Sequence, residues 1–310
     1  MPLDLHPLPG TDLRLSSFCY GLGDLFALPE QQSDALLDAF VAAGGNFFDT
    51  AHCYSFWLPG GDGTSETGIG DYVRRRGLEN IVVATKGGHP SAPGYRTVDQ
   101  YLSAARIAAD IDDSLGRLQR DTLDLYYLHR DDPRLPVGEI METLHAEVKR
   151  GRLRHLGASN WSLERLAEAN AYAVTHRLQP FLISQPRWSL AAPKRGTGIA
   201  ADEVPGWHHQ NKLPIASYSP TAQGYFAKAV PATEGDYATE ENQRRWERVN
   251  EAAKTRQVAP AQVALAWLRN QPFPVFPILG TKNLAHLNEA LVADTIKLTA
   301  QEVAWLDGGS

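Results

Sequence analysis

The sequence predicts an α/β protein that folds as a (β/α)8 TIM barrel, and three observations support this prediction. Short apolar runs alternate with longer segments whose apolar residues recur at helical spacing, in about eight units along the chain. The short runs are continuously apolar, as parallel strands buried on both faces are. No change in composition marks a linker, so residues 1–310 are expected to form a single domain.

Each predicted element rests on a local pattern. Alternating leucines on either side of a turn at residues 9–12 predict a hairpin over residues 3–14. Short apolar runs predict strands at residues 17–21, 46–49, 81–86, 123–129, 153–157, 181–185, 213–217 and 275–279. Apolar spacing of three and four residues predicts helices at residues 31–43, 65–76, 98–119, 137–150, 162–176, 240–255 and 260–270. Ser162 is the expected N-cap of one helix, and Gly44 and Gly151 are expected to end two others.

The composition narrows the class of protein. A net charge of −6 argues against a nucleic-acid partner, since the basic residues Arg74-Arg75-Arg76 and Lys149-Arg150 are typical of solvated helix faces, and no apolar run is long enough to span a bilayer. Two cysteines give no disulfide framework, and the amino terminus lacks the pattern of a signal peptide, so a cytoplasmic protein is expected. The partner expected instead is a small molecule, while the oligomeric state is left open.

Four side chains suited to proton transfer are expected at one mouth of the barrel. Asp49, Lys86 and His129 each end an apolar run, and Tyr54 lies in the loop after Asp49. Active sites of such barrels form at the carboxyl ends of the strands. Any one of these residues alone is more often a capping, solvated or structural residue. Their placement on consecutive strands favours a functional site.

Together these side chains suit acid–base chemistry on a carbonyl group. A tyrosine hydroxyl has a pKa near 10 and is a poor acid at neutral pH. An ammonium about 4 Å away stabilises tyrosinate by roughly 4 kcal/mol at an effective dielectric constant of about 20, which predicts a lowered pKa for Tyr54. Asp49 would keep Lys86 charged, and a neutral imidazole at His129 would orient the carbonyl. None of them carries reducing equivalents, so a hydride has to come from a cofactor.

Motifs along nearly the whole chain resemble the aldo-keto reductases. They are Asp-Thr-Ala-His-Cys-Tyr at 49–54, Gly-Thr-Ser-Glu at 63–66, Ala-Thr-Lys at 84–86, Tyr-Leu-His-Arg at 127–130, Gly-Ala-Ser-Asn at 157–160, Gln185, Tyr-Ser-Pro at 218–220 and Gly-Thr-Lys at 280–282. The resemblance implies that Tyr54 is the general acid/base, that Lys86 and Asp49 tune it, and that His129 orients the carbonyl. It also implies that the amino-terminal hairpin closes the barrel bottom.

The same resemblance implies a nicotinamide cofactor, with NADP(H) expected over NAD(H). The carboxamide would contact Ser159, Asn160 and Gln185, and Tyr218 would stack on the ring. Residues implied around the pyrophosphate are Ser219, Pro220, Thr221, Gln223 and Gly224. Residues implied at the adenosine end are Gly280, Thr281, Lys282, His286 and Glu289.

Several positions qualify the cofactor prediction. Gly21 and Gly23 mimic part of a dinucleotide-binding fingerprint, but Phe26 replaces its third glycine and the helix begins too late. These glycines are instead expected to let the first strand approach substrate and nicotinamide. His286 and Ala290 differ from residues common in the family, and Lys282 remains the plausible cation for a 2′-phosphate or else a solvated lysine.

An insertion at residues 55–62 directly after Tyr54 is the unusual feature of the chain. Its Phe56 and Trp57 suit a lid or pocket wall, or alternatively an aromatic pair that pins a surface loop. Further residues expected around the substrate pocket are His89, Tyr95, Arg130, Trp161 and Trp188. Such an aromatic wall would suit a sugar or another ring-shaped carbonyl compound.

The leading hypothesis is an NAD(P)(H)-dependent oxidoreductase that interconverts an aldehyde or ketone and an alcohol by direct hydride transfer. A cofactor-sensing regulatory subunit with little turnover is the main alternative, and a lyase or isomerase on the same barrel is a third. No metal is expected, because the adjacent pairs His208-His209 and His52-Cys53 lack the spacing of a zinc site.

Overall fold

The computed structural model describes residues 2–90, 100–194 and 203–308, which form one curled parallel sheet surrounded by helices. The strands in this part of the chain are β1 Leu5–Pro7, β2 Arg14–Ser16, β3 Cys19–Gly21, β4 Phe47–Asp49, β5 Val82–Gly87, β6 Leu123–Leu128, β7 Leu153–Ser159, β8 Phe181–Gln185 and β9 Ile278–Leu279. The α-helices are α1 Glu30–Ala42, α2 Thr64–Arg76, α3 Ala104–Leu118, α4 Val137–Lys149, α5 Leu163–His176, α6 Glu203–Asn211, α7 Glu240–Arg256, α8 Pro260–Arg269, α9 Leu284–Leu291 and α10 Ala300–Asp307.

The sheet closes into a barrel through a segment that is not a regular strand. Seven parallel strands run in the order β8-β7-β6-β5-β4-β3-β9. Residues 213–217 fill the remaining gap, because Ile215 bridges to Ser184 on one side and to Val275 on the other. The Ala216 amide donates to the Ser184 carbonyl at 2.9 Å, and the Ile215 amide donates to the Pro274 carbonyl at 3.0 Å. The predicted (β/α)8 barrel is thereby confirmed.

Prolines explain why two predicted strands are shorter than expected. The predicted strand at 213–217 makes only isolated bridges, and that at 275–279 is regular only at Ile278–Leu279. Pro214, Pro274 and Pro277 lie in or beside these segments and have no amide hydrogen to donate to a ladder. The long apolar runs without proline, β5 and β6, are regular and buried at every position.

The amino-terminal hairpin covers the end of the barrel opposite to Lys86 and His129. Strands β1 and β2 pair antiparallel, and Leu8, Leu13 and Leu15 pack against the apolar side chains that fill the barrel interior. On the rim, the Asp12 carboxylate accepts a hydrogen bond from Arg154 at 2.6 Å, near the start of β7. The hairpin therefore seals the bottom, and burial of its leucines stabilises that end by exclusion of water.

The helices agree with their predicted positions to within a few residues where both can be compared. The Ser162 hydroxyl accepts from the Arg165 amide at 3.3 Å, so it is the N-cap of α5 as expected. The helix predicted at 98–119 is observed from Ala104, while residues 98 and 99 lie outside the described part. Among the described residues, no helix is both long enough and apolar enough to cross a membrane.

Candidate active site

A buried lysine forms the centre of the site. Lys86 lies near the end of β5 and has no exposed surface. Its ammonium donates to the Asp49 carboxylate at 2.7 Å, to the Thr50 carbonyl at 2.7 Å and to the Tyr54 hydroxyl at 3.0 Å. An ammonium has three hydrogens to donate, and here each has an acceptor. The geometry thus brings Asp49, Tyr54 and Lys86 together, as the sequence predicted.

The electrostatics of this cluster depart from the sequence prediction at one point. Burial alone would lower the pKa of Lys86, but attraction to Asp49 and Tyr54 raises it above its ordinary value, so the ammonium stays charged. Burial raises the pKa of Tyr54 to about 12, although the nearby Lys86 ammonium works in the opposite direction. The expected lowering of the Tyr54 pKa is therefore wrong, since loss of hydration and the Asp49 charge outweigh Lys86.

His129 follows β6 directly and is buried beside Tyr54. The centroids of the His129 and Tyr54 rings are 5.9 Å apart, with the rings nearly perpendicular. Burial, followed by the positive charge of Lys86, pushes the pKa of His129 well below its ordinary value. The imidazole is therefore neutral at pH 7, which agrees with the state expected from the sequence. The Cys53 sulfur lies 3.5 Å from His129 Nδ1.

A chain of hydrogen bonds connects this cluster to the next three strand ends. Gln185, the last residue of β8, donates from Nε2 to Asp49 Oδ1 at 2.7 Å. The Ser159 hydroxyl donates to the Gln185 carbonyl at 2.9 Å, and the Asn160 amide donates to Ser159 Oγ at 2.8 Å. The Tyr218 hydroxyl completes the chain with a hydrogen bond to Asn160 Oδ1 at 2.8 Å. The four residues expected to hold a nicotinamide are thus positioned by one another.

A small cavity opens next to the Tyr54 hydroxyl. It has a volume of about 190 Å³, and it is lined on one side by Asp49 and Tyr54 and on the other by Tyr218 and Gly280. Gly21 also lines it, and a Cβ at that position would come within 2.7 Å of Ile278 Cγ2. Glycine therefore allows β3 to approach β9 closely at the cavity wall, where a side chain would collide with Ile278.

A larger groove continues from this cavity along the barrel mouth. Its volume is about 520 Å³, and it shares Ser219, Ile278, Gly280 and Thr281 with the smaller cavity. The residues predicted for a pyrophosphate and adenosine that line the groove are Ser219, Pro220, Thr221, Gln223, Gly224, Gly280, Thr281, His286 and Glu289. This groove and the cavity beside Tyr54 that adjoins it together offer a space for the cofactor expected from the sequence.

Lys282 is placed differently from the other groove residues. It lines the small cavity, and its ammonium lies 2.6 Å from the Asp24 carboxylate in the loop after β3. Both side chains are partly exposed. The sequence did not reveal Asp24, whose charge offsets that of Lys282 at the point where the two loops meet.

Within the part of the chain that the structure describes, the residues predicted for a substrate pocket line neither the small cavity nor the groove. Phe56 and Trp57 form an edge-to-face pair with ring centroids 5.3 Å apart, and Trp57 is 54% exposed. His89 and Arg130 are partly buried near His129, whereas Tyr95 lies outside the described residues.

Two tryptophans predicted for the pocket wall pack in the core instead. Trp161 is 1% exposed and lies 5.1 Å from the Phe181 ring, measured between centroids. Trp188 is also 1% exposed and packs on Trp267 at 5.2 Å. Both indoles fill the space between the strands and the outer helices, which argues against their predicted place in an aromatic pocket wall.

Behind the cluster, a buried carboxylate connects α2 to β5. Glu66 has no exposed surface, and it accepts from the Thr85 hydroxyl at 2.5 Å and from Arg117 at 3.2 Å. Thr85 immediately precedes Lys86, so this contact fixes the backbone that carries the ammonium. The sequence placed Glu66 in a motif but did not indicate its partners.

Comparison with known proteins identifies relatives of the whole chain. A sequence model described as the aldo/keto reductase family matches residues 17–309. A probable aryl-alcohol dehydrogenase of Saccharomyces cerevisiae is 29% identical over 306 residues, which covers 91% of this chain and 88% of the yeast protein. An aldo-keto reductase of Aspergillus calidoustus is 29% identical over 307 residues, which covers 92% of this chain and 74% of the fungal protein.

Proposed function

This chain belongs to the aldo/keto reductase family, and we propose that it is an NAD(P)(H)-dependent oxidoreductase that interconverts an aldehyde or ketone and an alcohol by direct hydride transfer. One observation supports this most strongly. The buried Lys86 ammonium contacts both Asp49 and Tyr54 at the wall of a cavity that continues into the long groove. A proton donor and a place for a hydride donor therefore adjoin the same small space.

Tyr54 is the proposed proton donor in the direction of carbonyl reduction. Its raised pKa keeps the phenol protonated at neutral pH. A reduced nicotinamide, when bound, supplies the hydride to the carbonyl carbon. The carbonyl oxygen gains negative charge and takes the phenol proton, and the Lys86 ammonium at 3.0 Å stabilises the tyrosinate that remains. The tyrosinate then regains a proton from solvent.

His129 is proposed to orient the carbonyl rather than to transfer a proton. A neutral imidazole can donate one hydrogen bond to a carbonyl oxygen, and its ring lies beside that of Tyr54. The lowered pKa of His129 keeps a second cation away from Lys86. Tyr54 and His129 would thus approach the same oxygen from two directions.

The residues of the cavity and the groove are proposed to hold successive parts of the cofactor, from the nicotinamide to the adenosine. Ser159, Asn160, Gln185 and Tyr218 adjoin the nicotinamide end, and the loop that begins at Ser219 would follow the pyrophosphate. Lys282 favours NADP(H) over NAD(H). Its ammonium lines the small cavity, and the 2′-phosphate of NADP(H) could compete with the Asp24 carboxylate for this positive charge. The preference is expected to be moderate, since Asp24 already offsets this charge.

The proposed substrate is a ring-shaped carbonyl compound. Sugars and aromatic aldehydes are the two candidate classes, and substrate assays have to distinguish between them. The exposed Trp57 and its partner Phe56 offer flat apolar faces in the loop directly after Tyr54. A relative at 29% identity is named for aryl alcohols. Stacking on such a ring would favour aromatic and cyclic carbonyls over short aliphatic ones.

The decisive experiment follows oxidation of NADPH and NADH with aromatic aldehydes, ring ketones, sugars and aliphatic aldehydes. Cofactor deuterated at the reactive carbon should pass deuterium to the alcohol carbon of the product. Tyr54→Phe should abolish turnover while cofactor binding, measured by tryptophan fluorescence, persists. Full turnover by Tyr54→Phe would refute the role of Tyr54. Tight cofactor binding without turnover on any substrate would favour a cofactor-sensing regulatory subunit.

A further inference from the structure

Three potential metal ligands from different loops converge beside the proposed active site. Cys53 follows β4, His89 follows β5 and His129 follows β6. One sulfur or nitrogen atom from each of them lies within 4.8 Å of the others. The centroids of the two imidazole rings are 4.6 Å apart. Because the three residues lie far apart along the chain, they form no ligand-spacing motif, and the sequence offers only the adjacent pairs His208-His209 and His52-Cys53.

One distance within this cluster matches what a small divalent cation requires. Zinc binds cysteine sulfur at about 2.3 Å and histidine nitrogen at about 2.0–2.1 Å, usually as a tetrahedron. At a tetrahedral angle these bond lengths place sulfur and nitrogen about 3.5 Å apart. The observed distance from Cys53 Sγ to His129 Nδ1 is 3.5 Å. This spacing is that of a thiol–imidazole hydrogen bond, and it is also compatible with a zinc ion shared by the two atoms.

His89 provides an independent observation. Its Nδ1 atom is buried and has no hydrogen-bond partner among the described residues. A buried polar atom without a partner is costly, and a ligand that occupies the space beside it removes that cost. A thiolate with two imidazoles is also the type of donor set that selects zinc over magnesium or calcium.

We propose that Cys53, His89 and His129 form a binding site for zinc or a chemically similar divalent cation, and that the bound cation inhibits the enzyme. Binding replaces the thiol proton of Cys53, which leaves to solvent, by a sulfur–metal bond. The Lys86 charge nearby is matched by the Asp49 carboxylate at 2.7 Å, so the thiolate charge remains to balance the cation. Three protein ligands leave a fourth position for water.

Inhibition rests on the proposed function, whereas metal binding does not. A metal bound to Nδ1 of His129 leaves its Nε2–H able to donate, so inhibition is expected through the fourth position of the metal, which can take the carbonyl oxygen in place of water and hold it away from Tyr54. Zinc should therefore reduce turnover reversibly, and a chelator should restore it. Metal binding can be measured without any assay of turnover, which separates failure of this proposal from failure of the proposed reaction.

Cobalt is a suitable probe because its absorption reports the ligands directly. Full-length protein, freed of metal with a chelator, should bind one equivalent of Co²⁺ with a sulfur-to-cobalt charge-transfer band and the visible bands of a tetrahedral ion. Zn²⁺ should displace the Co²⁺ and abolish both the charge-transfer band and the visible bands. Cys53→Ala should lose the charge-transfer band entirely. Cys19→Ala is the matched control, since Cys19 is equally a buried free thiol but lies in the barrel interior, and it should retain the band.

A second variant keeps the test valid if Cys53→Ala fails to fold. His89→Ala should lose the tetrahedral bands and weaken Zn²⁺ binding in calorimetry, and His89→Cys should restore a sulfur-containing site. Circular dichroism checks that each variant is folded. The proposal is overturned if wild-type protein gives no charge-transfer band at saturating Co²⁺, if Cys53→Ala retains it, or if zinc-loaded enzyme turns over at the rate of the metal-free form.

Discussion

We call Lys86 and its hydrogen-bond partners the floor of the proposed active site, and the exposed Trp57 with the Asp24–Lys282 pair its rim. The two regions are built on opposite physical principles. On the floor, Lys86 is fully buried, and each hydrogen of its ammonium has an acceptor within 3.0 Å. On the rim, Trp57 is 54% exposed, and the Asp24–Lys282 ion pair lies where solvent screens it. Buried charges need fixed partners, while exposed groups can change partners at little cost. We therefore propose that the floor carries the reaction and that the rim selects the molecules that bind.

The largest expected effect comes from removal of the central cation. Lys86→Met leaves the Asp49 carboxylate buried without its partner, which should lower the free energy of unfolding by about 3–5 kcal/mol. Turnover should also disappear, because no cation remains to stabilise tyrosinate. Urea unfolding followed by circular dichroism measures the first effect independently of the second.

The double variant Lys86→Met with Asp49→Asn sharpens this prediction. An asparagine still accepts the hydrogen bond from Gln185 but carries no charge, so part of the lost stability should return. Breaking a buried ion pair costs several kcal/mol. If the free energy of unfolding of the single variant Lys86→Met is within about 1 kcal/mol of that of wild type, the floor is not a tightly coupled buried cluster.

The amide of Gln185 should have a smaller effect on the same carboxylate. Gln185→Met preserves the shape of the side chain but removes the donor at 2.7 Å from Asp49, which should cost about 1.5–3 kcal/mol for a hydrogen bond to a charged group. Gln179→Met is the matched control, because its amide donates at 2.8 Å to the neutral carbonyl of Arg154. Its cost should be only about 0.5–1.5 kcal/mol in the same unfolding experiment.

The floor could largely be predicted from the sequence because its residues lie at or just after the ends of strands. A continuous apolar run that stops on Asp49 or Lys86 predicts both the buried strand and the polar side chain at its end. Parallel strands then bring those ends together, whatever the lengths of the intervening helices. The N-cap at Ser162 could also be predicted, since its hydrogen bond lies within four residues of sequence.

Properties that depend on burial could not be predicted. The Tyr54 pKa rises because loss of hydration exceeds the attraction of Lys86, and the sequence does not state how deeply the phenol is buried. Trp161 and Trp188 were expected at the mouth because they follow strands, but large aromatic rings also fill the space behind strands. The contact of Cys53 with His129 joins residues 76 positions apart, and buried cysteines otherwise resemble core residues.

On the rim, the exposed indole should influence the choice of substrate more than stability. Trp57→Ala should reduce kcat/KM for aromatic aldehydes about two- to tenfold, since an aromatic contact contributes about 0.5–1.5 kcal/mol. Short aliphatic aldehydes should be unaffected, and Trp57→Phe should retain most of the activity. Val174→Ala, which alters an exposed residue of α5, should change kcat/KM for neither the aromatic nor the aliphatic aldehydes. Equal losses for all aldehydes would instead assign Trp57 to the stability of the loop.

The smallest expected effect concerns the Asp24–Lys282 pair, and it tests whether the rim recognises the cofactor. Asp24→Asn frees the Lys282 ammonium, so NADPH should bind more tightly while NADH is unchanged. Because both side chains are partly exposed, the gain should be at most about 1 kcal/mol, or about fivefold in Kd. Lys282→Met should weaken NADPH binding in the same measurement and also leave NADH unchanged. A parallel change for both cofactors would show that the pair closes the cavity mechanically and does not read the 2′-phosphate.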